Sequence, residues 1–166
     1  MKRILIALVT TVILLGNVPT SVEAASLRWY SCTIAYSIKA HGYSLAAFDV
    51  AVHDIEKATG LEFEKVPWDR ADMKITIGGK GEDVEEDLGR TKYWYSGRIQ
   101  NAKIYIYRLT YQANWITRMN TFRHELGHAL GLNHVKAKDI MNKYVDDSLS
   151  KTQWKSKLKK RYKECS

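Results

Sequence analysis

The pattern of apolar and polar residues first predicts short β-strands. Three segments alternate apolar with polar side chains, as half-buried strands do: Thr33–Ile38, Leu61–Val66 and Met73–Gly78. Two aromatic-rich segments, Arg90–Tyr95 and Ala102–Tyr107, follow a glycine-rich acidic loop and are further strand candidates. All five precede the longest helical pattern of the chain.

Helical spacing of apolar residues appears between and after these strands. From Ser44 to Gly60 the apolar residues recur at intervals of three and four, with Ser44 as a candidate N-cap and Gly60 as a stop signal. Residues 114–131 repeat the same spacing, and a last helix is expected from Leu149 to Tyr162. The two apolar stripes comprise Leu45, Phe48, Val52 and Ile55, and then Trp115, Met119, Phe122, Leu126 and Ala129.

This order of elements predicts an α+β fold in one domain. A chain of 166 residues fits one domain, because domains cluster at roughly 100 to 150 residues and splitting starts beyond about 250. Apolar residues make up 45% and charged residues 27%, which is the balance of a globular protein. No internal repeat or low-complexity linker marks a second domain.

The N-terminal residues have the layout of a secretory signal peptide. Two basic residues precede an apolar run that ends at Leu15, and a helix-breaking, small-residue segment follows. We expect cleavage after Ala24, which leaves a secreted, extracellular domain over residues 25–166. An uncleaved membrane anchor is the alternative, but a bilayer span needs about 18 to 20 apolar residues and this run is shorter.

Secretion favours a disulfide between the two cysteines, Cys32 and Cys165, because disulfides persist outside the cytosol. We expect them to form a bridge that closes nearly the whole domain; two free thiols are the alternative. Neither lies near the histidines discussed below, so the sequence gives little support to thiolate catalysis.

The net charge of +8 favours contact with anionic surfaces in general. Much of this charge lies in the C-terminal segment Lys155–Lys163. The solvated face of a terminal helix explains it better than a nucleic-acid site, since no nucleic-acid-binding motif accompanies it. We therefore expect no specific nucleic-acid partner.

The segment FRHELGHALGLNH, Phe122–His134, carries the clearest chemical signal. On a helix His124 and His128 lie one turn apart on one face, so both imidazoles are presented to one point. Gly131 supplies the left-handed conformation that ends a helix and lets the chain return with a third imidazole on His134. Five fixed positions in one short chain arise by chance on the order of one time in 10⁵.

Three neutral imidazoles leave one coordination position open, which is typical of catalytic zinc sites, whereas structural sites use all four positions. Glu125 follows the first histidine directly, so its carboxylate is placed beside the metal without being a ligand. By contrast His41 and His53 have no partners at ligand spacing and are expected to be solvent-exposed.

With this motif the chain resembles the metzincin metalloproteases, and the spacing is similar to that of their matrixin branch. Met141, seven residues after His134, corresponds to the Met-turn, and the resemblance implies that it forms an apolar floor beneath the zinc. The resemblance also implies a zincin fold, with a mixed twisted sheet of about five strands, two long helices and a C-terminal helix. The strand around Gly89–Tyr95 is then the candidate edge for pairing with a substrate backbone, with another strand of this region as the alternative.

Some positions depart from the family pattern. Val135 stands where matrixins commonly have serine, and no proline follows the Met-turn, which affects the wall of the specificity pocket. The additional histidines of the matrixin structural zinc site are missing, so we predict one catalytic Zn²⁺. Tyr144 follows Met141 by three residues instead of the two found in astacin-like enzymes, and is not assigned to the metal.

We therefore predict a secreted zinc endopeptidase, a monomer acting on protein or peptide substrates, with His124, His128 and His134 as ligands and Glu125 as general base. The acidic loop at residues 82–87 is a candidate calcium site, with a plain solvated charge run as the alternative. The alternative function is a secreted binding protein for anionic cell-envelope or membrane surfaces, in which zinc only stabilises the fold.

Overall fold

A computed structural model describes residues 27–40, 42–77, 88–107, 110, 112–145 and 148–166. The predicted signal peptide (residues 1–24), the candidate calcium loop (82–87) and His41 lie outside the described residues. The elements are β1 (Thr33–Lys39), α1 (Tyr43–Thr59), β2 (Glu62–Lys65), β3 (Met73–Ile77), β4 (Gly89–Ser96), β5 (Arg98–Ile106), α2 (Trp115–Ala129) and α3 (Thr152–Arg161), with single 3₁₀ turns at Trp68–Arg70 and Lys163–Cys165.

The five strands form one mixed sheet in the order β2-β1-β3-β5-β4. β1, β2, β3 and β5 run parallel, and β4 pairs antiparallel with β5 as the last strand of this sheet. The apolar residues that alternate along the strands lie on the buried face of the sheet, as predicted. Met73 and Ile75 of β3 and Ile104 of β5 are examples. The predicted α+β class and five-stranded mixed sheet are confirmed, and β4 is an edge strand.

Helices α1 and α2 pack together through the apolar stripes read from the sequence. Phe48 of α1 and Phe122 of α2 are buried, and their rings meet edge to face with centroids 5.8 Å apart. The start of α1 differs from the prediction. Gly42 occupies the N-cap without a side-chain cap, whereas Ser44 lies inside the helix and is buried.

Gly60 ends α1 as predicted, with a left-handed φ of 71° and its N–H bonded to the carbonyl of Glu56. The C-terminus of the chain lies directly over this turn, because a Cβ on Gly60 would overlap the backbone of Cys165. The predicted disulfide is present: Cys165 is bonded to Cys32 across 133 residues, with Cα atoms 5.5 Å apart. The bridge therefore joins the start of β1 to the end of the chain.

The last helix, α3, is shorter than predicted and begins at Thr152 instead of Leu149. Ser150 is instead paired with Asp139 in an isolated parallel bridge. The Asp139 carboxylate then accepts the N–H of Trp154, so a residue distant in sequence caps the first turn of this helix.

An ion-pair cluster ties α1, α2 and α3 together. Asp54 of α1 accepts two hydrogen bonds from the Arg123 guanidinium of α2, at 2.9 and 2.6 Å, and one from Lys155 of α3 at 3.1 Å. Burial alone would raise the pKa of Asp54, but the hydrogen bonds from Lys155 and Arg123 outweigh it and lower that pKa. Since Arg123 precedes His124, this cluster fixes the middle of α2.

Within the part of the chain that the structure describes, no helix is long and apolar enough to cross a membrane.

Candidate metal centre

Helix α2 presents the first two histidines. It begins after Asn114, whose side chain accepts the N–H of Thr117 at 2.9 Å. Most of its second half is buried, including His124 and Glu125, each only 4% exposed. The Nε2 atoms of His124 and His128 are 3.0 Å apart, as expected for residues separated by one turn on one face.

The third histidine arrives because the chain reverses at Gly131. Its φ of 85° lies in the left-handed region, and a Cβ there would also collide with the backbone of Leu27 and the guanidinium of Arg161. The turn brings His134 Nε2 to 3.0 Å from that of His128 and 3.2 Å from that of His124. The structure therefore brings the three predicted histidines together.

The three Nε2 atoms fit a single zinc ion. Zn–N bonds of about 2.0 to 2.1 Å in tetrahedral geometry separate neighbouring nitrogens by about 3.3 Å, close to the spacing found here. The Nδ1 of His124 lies 2.7 Å from the carbonyl oxygen of Ile140, and that of His128 lies 2.8 Å from the carbonyl of Leu132. Each of these two Nδ1 atoms therefore carries the ring proton and donates a hydrogen bond to the carbonyl. The Nε2 lone pairs then face one another, an arrangement that a bound cation stabilises.

The surroundings also keep these imidazoles in the state that binds metals. Burial lowers the pKa of His124 to about 3, and the neighbouring His128 adds to this effect. Burial likewise lowers the pKa of His128 to about 4. The pKa of His134 is lowered by burial and by the charge of Lys143. At neutral pH the group is uncharged and available as ligands.

The carboxylate of Glu125 is held by the edge strand. The Thr91 hydroxyl of β4 lies 2.6 Å from Glu125 Oε2 and 2.9 Å from the Glu125 backbone oxygen. Two residues earlier on β4, Gly89 leaves room for the same side chain, since a Cβ there would lie 2.8 Å from Glu125 Cγ and 2.9 Å from Oε1. Together they fix the carboxylate on the side of the cleft that β4 forms.

Met141 lies beneath α2. It is fully buried, and a Cβ on Gly127, between the first two histidines, would overlap its sulfur. The turn that contains Met141 is stabilised by Asp139, a buried carboxylate that accepts the N–H of Met141 at 3.2 Å and also caps α3. The carbonyl of Ile140 in the same turn orients His124, so the Met141 turn supports a ligand as well as packing under the helix.

The three histidines and Glu125 line a cleft of about 680 Å³, which we call the metal cleft. His124, His128, His134 and Glu125 line it together with residues 88–91 of the edge-strand region. Tyr144 lies at its margin with a side chain 75% exposed. His53 is exposed, as predicted.

Sequence reasoning missed three residues that shape this site: Thr91, Gly89 and Asp139. Thr91 contacts a residue 34 positions away, and Asp139 caps a helix 15 positions later. The only sequence signal for Thr91 and Gly89 was their place on the predicted edge strand. The sequence carried no signal for Asp139.

Comparison with known proteins gives a family. The family model described as matrixin (Peptidase_M10) matches residues 28–160, which is most of the chain and includes every residue of the histidine motif. No curated protein matches the chain.

Proposed function

The chain belongs to the matrixin family of zinc metalloendopeptidases, and we propose that Glu125 is its general base and that it acts outside the cell. The observation that carries the role of Glu125 is the convergence of three histidine Nε2 atoms in one open cleft that this carboxylate also lines.

Each residue of the cleft has a separate task. The Nε2 atoms of His124, His128 and His134 hold the metal, and the carbonyls of Ile140 and Leu132 keep two of those rings in the required tautomer. When bound, zinc acidifies a water molecule and polarises the scissile carbonyl as a Lewis acid. Met141 forms the apolar support beneath α2.

Glu125 moves the proton. Its carboxylate accepts a proton from the attacking water and later delivers it to the nitrogen of the departing amine. The hydrogen bond from Thr91 to Oε2 restricts rotation of the carboxylate, and Gly89 leaves room for Oε1. Holding the base in one orientation lowers the entropy lost on reaching the transition state.

Strand β4 is the proposed binding edge for the substrate backbone. Its other side pairs with β5, and its residues Gly89, Thr91 and Tyr93 line the metal cleft. An extended peptide added to this edge would pass directly over Glu125 and the histidines.

The proposal of an extracellular enzyme is supported by the Cys32–Cys165 disulfide, which persists under oxidising conditions. We propose that residues 1–24 are removed as a signal peptide and that residues 25–166 act as a monomer with one zinc ion. Calcium binding at residues 82–87 stays a prediction.

The test is to replace Glu125 with alanine and measure zinc content and cleavage of an unstructured protein together. We expect the variant to retain one zinc and to lose roughly 10² to 10⁴-fold in kcat, since a positioned general base contributes that much. Glu64→Ala, at an exposed site on β2, is the matched control and should behave as wild type. A Glu125→Ala protein that keeps both zinc and full activity would rule out the proposed base.

A further inference from the structure

A second cavity adjoins the metal cleft and is strongly basic. It has a volume of about 680 Å³ and shares His134 with the metal cleft. Its basic residues come from the N-terminal segment, the start of β5, and α3 with the turn after it: Arg28, Arg98, Lys157, Lys160, Arg161 and Lys163. We call this the basic cavity.

Little of this charge is neutralised by the described residues. Glu164 is the one carboxylate among the residues that line the basic cavity, and it is ion-paired with Arg28. Lys157, Lys160 and Lys163 are exposed, and the described part of the chain offers none of them an ion pair. A concave surface lined by one sign of charge concentrates oppositely charged groups.

The basic cavity lies in the direction that a substrate paired with β4 would follow from Thr91 toward Gly97. β4 passes Glu125 at Thr91 and ends before Gly97, which lines the basic cavity. The strand covers at most roughly 20 Å between these two positions, at about 3.4 Å per residue, because the bulge between Trp94 and Tyr95 bends it. A peptide paired with β4 over the metal would therefore reach the basic cavity with side chains within about six residues of the scissile bond.

The metal cleft has the same charge bias. Arg90 and Lys143 line it, and Glu125, the proposed base, is its one carboxylate among the described residues. The described residues of the cleft and of the basic cavity thus share His134 and an excess of positive charge.

From this placement we propose that the basic cavity is a specificity site for acidic peptide segments: the enzyme prefers substrates that carry aspartate or glutamate on the flank of the scissile bond that follows β4 toward Gly97. This inference rests on the proposed peptidase function. An acidic segment would lie between the ammonium groups of Lys157, Lys160 and Lys163, with Arg98 at the start of β5.

The test uses three fluorogenic peptides with one central sequence, carrying acidic residues on the N-terminal flank, on the C-terminal flank, or on neither. An exposed ion pair contributes a factor of about 1.5 to 5, so two or three pairs should raise kcat/KM about tenfold for one of the flanks only. The gain should shrink at 1 M salt, where the screening length is about 3 Å. Equal kcat/KM for all three peptides would overturn the proposal.

Reversing the charge of two cavity lysines tests whether the basic cavity causes the preference for an acidic flank. In Lys157→Glu/Lys160→Glu the ratio of kcat/KM for the acidic-flank peptide to that for the neutral peptide should fall to about one or below. The control Lys65→Glu/Lys159→Glu has the same net charge, and Lys159 lies on the same helix but does not line the basic cavity. An equal fall of the ratio in both variants would mean that overall charge, and not the cavity, selects the substrate.

Binding separates this inference from the peptidase function. Fluorescence anisotropy of the acidic-flank peptide with zinc-loaded Glu125→Ala should give weaker binding once Lys157 and Lys160 are also reversed. If that holds while wild type hydrolyses no peptide, the cavity assignment stands and the peptidase function fails. If dextran sulfate binds in a Lys157- and Lys160-dependent manner but acidic and neutral peptides bind equally, the cavity serves an anionic polymer and the acidic-peptide proposal is overturned.

Discussion

Replacing Thr91 with valine removes the hydroxyl that holds the proposed base while keeping the shape and strand preference of the side chain. The hydroxyl carries one hydrogen, and its 2.6 Å contact with Glu125 Oε2 is shorter than the 2.9 Å contact with the backbone oxygen. A hydrogen bond to a charged group contributes about 1.5 to 3 kcal/mol. If the catalytic step depends on this bond, kcat should fall about 10- to 100-fold, since about 1.4 kcal/mol corresponds to tenfold.

The assay is steady-state hydrolysis of a fluorogenic peptide, with kcat and KM separated and zinc content and thermal midpoint measured on the same sample. We expect a lower kcat, little change in KM and full zinc occupancy in Thr91→Val. Thr91→Ser retains the hydroxyl and should recover most of the activity. A valine variant within threefold of wild type in kcat, or a serine variant as impaired as valine, would refute the positioning role.

The remaining predictions concern the supports of the cleft and the fold. Gly89→Ala places a Cβ 2.8 Å from Glu125 Cγ; the displaced carboxylate should lower kcat by roughly 10²-fold with zinc retained, and unchanged kinetics would contradict this packing. Asp54→Asn leaves a buried arginine uncompensated and should lower the free energy of unfolding by about 3 kcal/mol in urea titrations at pH 7. The Asp54 pKa is lowered in the folded state, so its contribution to the free energy of unfolding is present above the unfolded pKa of about 3.9 and is lost as pH falls through the folded pKa. The stabilities of wild type and variant should therefore converge in acid. A constant difference in the free energy of unfolding down to pH 2 would contradict the assignment. Removing the disulfide by Cys32→Ser/Cys165→Ser should cost about 4 to 5 kcal/mol, given the length of the closed loop, and a loss below 1 kcal/mol would show that the bridge is dispensable.

The parts of the site that the sequence predicted well are those set by local geometry. His124 and His128 converge because of the helical repeat, and Gly131 brings in His134 because only three residues separate them. Strand alternation identified β1, β2 and β3, and aromatic-rich composition identified β4 and β5, each to within a few residues. These patterns depend on neighbours along the chain, so they are visible without a structure.

The parts that escaped prediction depend on contacts between distant segments. Arg123 pairs with Asp54 across 69 residues, and Thr91 meets Glu125 only because β4 folds over α2. The wrong assignment of Ser44 has the same origin, since packing buries its hydroxyl at a position where propensity alone favours a cap. The sequence also predicts a solvated helix face for the basic tail, and the basic cavity escapes this prediction because Arg28 and Arg98, distant in sequence, line it together with residues of α3.

The central claim is that three imidazole nitrogens share one zinc ion whose remaining coordination position opens onto Glu125. Zinc K-edge X-ray absorption on the purified protein, with metal stoichiometry measured alongside, tests it most directly. The account predicts one zinc per chain, three nitrogen scatterers at about 2.0 Å and one oxygen. Fewer than three imidazole nitrogens, or a fourth protein ligand that closes the site, would contradict it.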